Sequence, residues 1–160
     1  MKHVLIIGNG ISGITAARHI RKGNADIRIT VISGETDHFF SRTALMYIYM
    51  GHMKFEHTKP YEDHFWQKNR IELLNKWVDR VDTDSKRLHF SDGTDLQYDQ
   101  LILATGSKPN KFGWPGQDLK GVQGLYSYQD LLELEKNTHP PFTPVAKQRV
   151  KRAVLVGGGL

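Results

Sequence analysis

The stretch "HVLIIGNGISGITAAR" at residues 3–18 constrains this chain more than any other. A five-residue apolar run breaks directly into a G-x-G-x-x-G loop, and a helical pattern through Ile14, Ala17 and Ile20 follows until Gly23. A short apolar run bounded by glycine reads as a strand covered on both faces, and the next run, 27–32, reads the same way. Together they make a β-α-β unit of about 30 residues. Each glycine has a separate task in such a loop. Gly8 suits the tight turn off the strand, Gly10 lets the backbone approach a pyrophosphate, and Gly13 allows close packing of helix on strand. The phosphates would meet free N–H groups at the helix N-terminus, where the dipole favours negative charge. Glu35 stands 22 positions past Gly13, near the spacing of about 20 expected for a carboxylate that grips ribose hydroxyls.

Composition narrows the class of protein. No apolar run approaches the roughly 18 residues that span a bilayer, and the N-terminus turns into the glycine loop without a signal-peptide cleavage pattern. Cysteine is absent, which rules out a disulfide framework or thiolate chemistry within these residues and fits a cytoplasmic protein. A net charge of +5 raises nucleic acid as a partner, but the basic residues are dispersed and no nucleic-acid-binding motif accompanies them, so none is expected. His52, His57 and His64 match no metal-ligand spacing, and no metal site is expected. Asp37, His38 and Ser41 lack the strained nucleophile turn of a hydrolase.

The rest of the chain reads as α/β. "HFFSRTALMYIYMG" suggests a loop and a short helix, "KPYEDHFWQKNR" a helix with acidic residues in its first turn, and "IELL" a third buried strand. Residues 77–98 alternate and turn at Asp84-Ser85 and Asp92-Gly93, the pattern of a three-stranded antiparallel meander. "LILATG" is a further buried strand. The segment 107–150 is rich in Gly and Pro with one helix expected at 128–136, and 153–156 reads as a final strand before "GGG".

The order of "GNGISGITAAR", "ITVISGE", "FFSRTAL", "SDGTDLQYDQLILATGSKP" and "RAVLVGGG" resembles the FAD-dependent pyridine nucleotide oxidoreductases with two dinucleotide-binding folds. Within them the likeness is to the cysteine-free reductases of the rubredoxin, ferredoxin and nitrite reductase type. The resemblance implies a Rossmann-like parallel sheet carrying FAD, with NAD(P)H as hydride donor and a small redox protein, quinone or small molecule as electron acceptor. It divides the chain into an FAD-binding segment at 1–110, a connector at 111–150 and, at 151–160, the first strand and glycine turn of an NAD(P)H-binding domain. On that reading the chain is the N-terminal part of a longer, homodimeric reductase and is inactive alone.

The same resemblance places Gly8, Asn9, Gly10, Ile11, Ser12 and Gly13 around the FAD pyrophosphate, Arg42 near the pyrophosphate and flavin, the Val78 backbone beside the adenine, and Ala104, Thr105 and Gly106 where the chain passes close to the cofactor. Two features depart from the pattern. Gly34 stands where the ribose acid usually follows its strand, with Glu35 one position later, and Tyr47 stands where relatives often carry a lysine near the flavin. No catalytic residue is assigned. A non-catalytic FAD- or nucleotide-binding chain is the alternative to an oxidoreductase.

Overall fold

The computed structural model describes residues 1–138, 150 and 152–157. In chain order its elements begin with β1 (His3–Ile7), α1 (Ile11–Gly23), β2 (Arg28–Ser33), α2 (Leu45–Tyr49), α3 (Asp63–Lys68) and β3 (Ile71–Asn75). They continue with β4 (Val78–Asp82), β5 (Arg87–Phe90), β6 (Asp95–Gln97), β7 (Gln100–Leu103) and α4 (Tyr128–Asn137). The chain forms two compact units, one of Met1–Ser41 with Thr58–Lys108, the other of Arg42–His57 with the described residues from Pro109 onward.

In the first unit four parallel strands lie in the order β3-β2-β1-β7. Alternation along β1 explains why its run is apolar throughout. Val4 and Ile6 pack with Ile14 and Ala17 of α1 and Trp66 of α3, whereas Leu5 packs with Leu88, Phe90 and Tyr98 on the opposite face. That second face is covered by the antiparallel sheet β4-β5-β6. Its turns form as their chemistry demands: the Asp82 carboxylate accepts from the N–H groups of Asp84 and Ser85, and Asp92 accepts from the N–H and hydroxyl of Thr94.

One side chain closes the amino-terminal side of this unit. Arg21, near the end of α1, donates Nε–H to the carbonyl of Asn69 at 2.8 Å, Nη1 to Asn24 and Ala25, and Nη2 to Ile27 and Arg70. All five N–H donors of a guanidinium are thereby used on backbone oxygens. The return of the chain from α1 into β2 and the turn before β3 are tied to one planar group. A second polar row crosses three strands: Thr30, fully buried, donates its hydroxyl to Glu72 at 2.8 Å, so His3 Nε2, 2.8 Å away, must be the donor to Thr30. Burial, with the charge of Arg28, holds the His3 imidazole below its ordinary value. Burial raises the Glu72 carboxyl, but bonds from Thr30 and Arg28 outweigh it and leave the group below its ordinary range.

In the second unit α4 is the main element. Ser127 Oγ accepts from the Asp130 N–H at 3.0 Å while the Asp130 carboxylate accepts from the Ser127 N–H at 2.8 Å, a reciprocal capping box. Leu131 is buried, Phe55 stacks on Tyr128 at 4.0 Å between centroids, and the Tyr49 and Thr138 hydroxyls bond at 2.8 Å. The strand expected at 153–156 is not formed. Val154 and Leu155 are 88% and 92% exposed, and the run pairs with no strand among the described residues. An apolar run becomes a strand only where a neighbour supplies the ladder of hydrogen bonds. The glycine turn expected after it, and residue 151 before it, lie largely outside the described residues.

Two outcomes follow for stability. Arg21→Ala should lower the free energy of unfolding by about 2 kcal/mol or more, and Arg21→Lys should restore less than half, because an ammonium lacks the planar fork. Urea titration measures both. The second concerns pH. His3 and His38, the latter lowered by burial and by Lys59, take up protons more readily unfolded than folded, so stability falls as pH drops below about 6.5. Glu72 adds a further loss as pH drops below its ordinary 4.5. Melting temperature against pH should therefore be highest above about 6.5 and decline in two stages.

Candidate functional site

The strand order puts β2 and β7 on opposite sides of β1, so chain leaving β1 at its carboxyl end runs between segments diverging to either side. Crevices of this kind, where strand order reverses, are where open α/β sheets hold ligands. The ladder continues one residue past β1 on both flanks. Gly8 N–H donates to the Ile32 carbonyl at 2.7 Å, and Ala104 N–H donates to the Ile7 carbonyl at 2.8 Å.

The three glycines of the loop differ in what requires them. Gly8 has φ +112°, and a Cβ built on it would stand 2.1 Å from the Ala104 carbonyl oxygen. Gly13 is helical, yet a Cβ there would stand 1.9 Å from the Gly8 oxygen. The polypeptide itself therefore excludes side chains at both. Gly10 is different: its backbone is extended, at φ −72° and ψ −177°, and an added Cβ meets no heavy atom within 4 Å. Nothing in the chain demands glycine there.

Gly10 is also the N-cap of α1, and no side chain caps that helix or places an acid in its first turn. The leading N–H groups of a helix need acceptors, and an anion is the natural one. Ile11 and Ser12, both exposed, begin the helix beside Gly10. Asn9 is buried, and its side-chain amide donates to the Thr36 carbonyl at 3.0 Å. Asn9 thus braces the loop against the segment after β2.

Around this edge, Glu35 is half-buried with its N–H on Ser33 Oγ at 3.1 Å. Val78 opens β4, and its side chain packs into the cluster of Leu5, Leu88 and Phe90. Ala104, Thr105 and Gly106 leave β7 against Gly8, with Gly106 at φ +73°. The first unit holds eleven of the twelve residues expected at the site: Gly8 to Gly13, Glu35, Val78 and Ala104 to Gly106. Arg42 belongs to the second unit, where its guanidinium lies 4.6 Å from the Tyr126 ring centroid and donates to the Tyr126 carbonyl. Tyr47, also in the second unit, is half exposed beside His52. Among the described residues no group of His, Cys, Asp or Glu is arranged to hold a metal ion.

Sequence reasoning missed the brace made by Asn9 and a contact at Gly34. A Cβ on Gly34 would stand 2.2 to 2.5 Å from three atoms of the Trp77 indole. The only signal of that contact in the sequence is glycine standing where an acid is expected.

Residues 2–160 match the family model described as pyridine nucleotide-disulphide oxidoreductase. The chain is 32% identical over 160 residues to the benzene 1,2-dioxygenase system ferredoxin–NAD(+) reductase subunit of Pseudomonas putida, covering 99% of this chain and 37% of that protein. Among solved structures it is similar to the sulfide:quinone oxidoreductase of Aquifex aeolicus, with TM-score 0.71, 32% identity and coverage of 85% of this chain and 31% of that one. It is also similar to the NADH:rubredoxin oxidoreductase of Clostridium acetobutylicum, with TM-score 0.72, 27% identity and coverage of 85% and 36%. The chain thus spans about a third of the length of these relatives.

The glycines make separable predictions for the ligand-free chain. Alanine favours a helix over glycine by about 1 kcal/mol, yet Gly13→Ala should destabilise by about 1–3 kcal/mol because the Gly8 carbonyl must move. Gly10→Ser should leave stability unchanged or raise it by a few tenths of a kcal/mol, since serine is a better N-cap. Denaturant midpoints of the two variants, compared with the unsubstituted chain, check both.

Proposed function

The chain belongs to the pyridine nucleotide-disulphide oxidoreductase family, and on that footing we propose that it carries the FAD site of an NAD(P)H-dependent oxidoreductase. The observation that carries the proposal is Gly10. Two glycines of the motif are explained by protein atoms and the third by none, and the third lies at an uncapped helix N-terminus on the carboxyl edge of the sheet. A diphosphate pressed against the backbone supplies the missing reason, both as a steric neighbour and as acceptor for the helix N–H groups.

In this reading the backbone of Gly8, Asn9, Gly10, Ile11, Ser12 and Gly13 holds the pyrophosphate. Glu35 receives ribose hydroxyls, and the backbone of Val78 lies beside the adenine. Ala104, Thr105 and Gly106 let the chain pass close to the cofactor, and Arg42 supplies positive charge to the pyrophosphate and flavin through charge-assisted hydrogen bonds. Residues 1–110 form the FAD-binding segment and 111–150 a connector. When bound, FAD accepts a hydride from NAD(P)H and passes electrons to an acceptor, while the protein supplies position and electrostatics. The names of the relatives point to a ferredoxin, rubredoxin or quinone as the class of acceptor. FAD is favoured over NAD at the first loop because the loop is accompanied by the Arg42 segment and the Ala104–Gly106 motif.

The test is direct. Purified protein incubated with FAD and freed of excess by gel filtration should retain a flavin absorption band, and Gly10→Val should not retain it while keeping the far-ultraviolet dichroism of the parent. Tight NAD binding at this loop without flavin binding, or full flavin retention by Gly10→Val, overturns the assignment.

A further inference from the structure

Trp77 is 61% exposed, although its backbone is held on both sides. Before it, the Lys76 N–H donates to the Ser33 carbonyl at 3.1 Å and the Lys76 ammonium is 2.7 Å from the Asp92 carboxylate. At Trp77 itself the carbonyl accepts from the Ser91 N–H at 3.1 Å. The indole therefore stands at a fixed place, beside the end of β2 and directly before Val78. Leaving so large an apolar ring in water is unfavourable unless something covers it.

The Gly34 contact shows how the ring is turned. The atoms nearest to a Cβ at Gly34 are Cδ2 at 2.2 Å, Cε2 at 2.4 Å and Cγ at 2.5 Å. Cδ2 is a ring-fusion atom, bonded to carbon on all three sides within the ring plane, so a neighbour reaches it only across the face. One indole face thus rests on the Gly34 backbone, and exposure of the residue lies with the other face and the ring edge. The same contact explains the departure at the end of β2: a carboxylate side chain at position 34 would have to displace the indole.

We propose that Trp77 is a stacking platform for the adenine of the bound dinucleotide, so that an aromatic face anchors the adenosine end of a site that has no acid directly after β2. This rests on the reading of the Gly8–Gly13 loop as a dinucleotide site. An aromatic face suits a purine because every base presents a π-surface, and the Gly34 support keeps the ring from folding away.

The experiment titrates the protein with AMP, FAD and FMN, the last lacking adenine. AMP should quench indole emission, and the quench should vanish in Trp77→Phe, in which Trp66 and Trp114 remain. Trp77→Ala should weaken binding of FAD and AMP about ten- to a hundredfold and leave FMN unchanged, whereas Trp77→Phe should keep most of the affinity. FAD and AMP affinities in Trp77→Ala within about twofold of the parent overturn the stacking role alone, as does an equal loss for FMN, which marks a general effect on the fold. Failure of the unsubstituted protein to bind either AMP or FAD overturns the dinucleotide reading and the stacking role with it.

Discussion

The close passage of two backbones at the end of β1 is the constraint on which the rest of the first unit depends. Gly8 turns the chain with its Cα against the Ala104 carbonyl, in a conformation and at a distance that no side chain allows. Because that contact is made, β7 can pair with β1 up to its last residue, and the helix after the loop can start directly over the sheet. Gly13 repeats the constraint one turn later, bringing α1 down against the Gly8 oxygen. The crevice at the carboxyl edge is a consequence of these two approaches.

Rigidity on either side of the crevice comes from polar groups spent entirely on structure. Asn9 gives its amide to the Thr36 carbonyl and so binds the loop to the segment after β2. At the opposite end Arg21 gathers five carbonyls into one guanidinium plane and fixes where α1 ends and where β2 and β3 begin. A parallel sheet with both faces covered tolerates no unpaired backbone at its rim, and these side chains close its corners. The Gly8–Gly13 loop can then leave the N–H groups of α1 without a side-chain cap, since the surrounding structure holds it in shape.

The chain also departs from the family pattern in a connected way. Gly34 and Trp77 are far apart in sequence, but the indole lies on the glycine, so the absence of a side chain at position 34 and the placement of the ring at 77 are a single steric fact. Arg42, by contrast, lies in the second unit, where its guanidinium donates to the Tyr126 carbonyl and sits over the Tyr126 ring.

Much of this was legible in the sequence. Local signals determined the β-α-β opening, the buried strands, the Asp-based turns of the meander and the helix capped by Ser127, because each is set by periodicity or by a side chain acting on backbone a few residues away. The glycine spacing likewise marked the turn from β1 into α1, and residue order carried the family. Tertiary structure decided what depends on groups distant in sequence: that Gly8 and Gly13 are required by the protein and Gly10 by none of it, that Asn9 is a brace, that Arg21 is a clamp, and that Trp77 covers Gly34. It also decided that the apolar run 153–156 is no strand, for strand formation needs a neighbour and apolar composition alone does not supply one. The division follows from the range of the forces involved. Turn, cap and periodicity act within a few residues, whereas steric exclusion and hydrogen bonding between strands act only once folding has brought remote residues together.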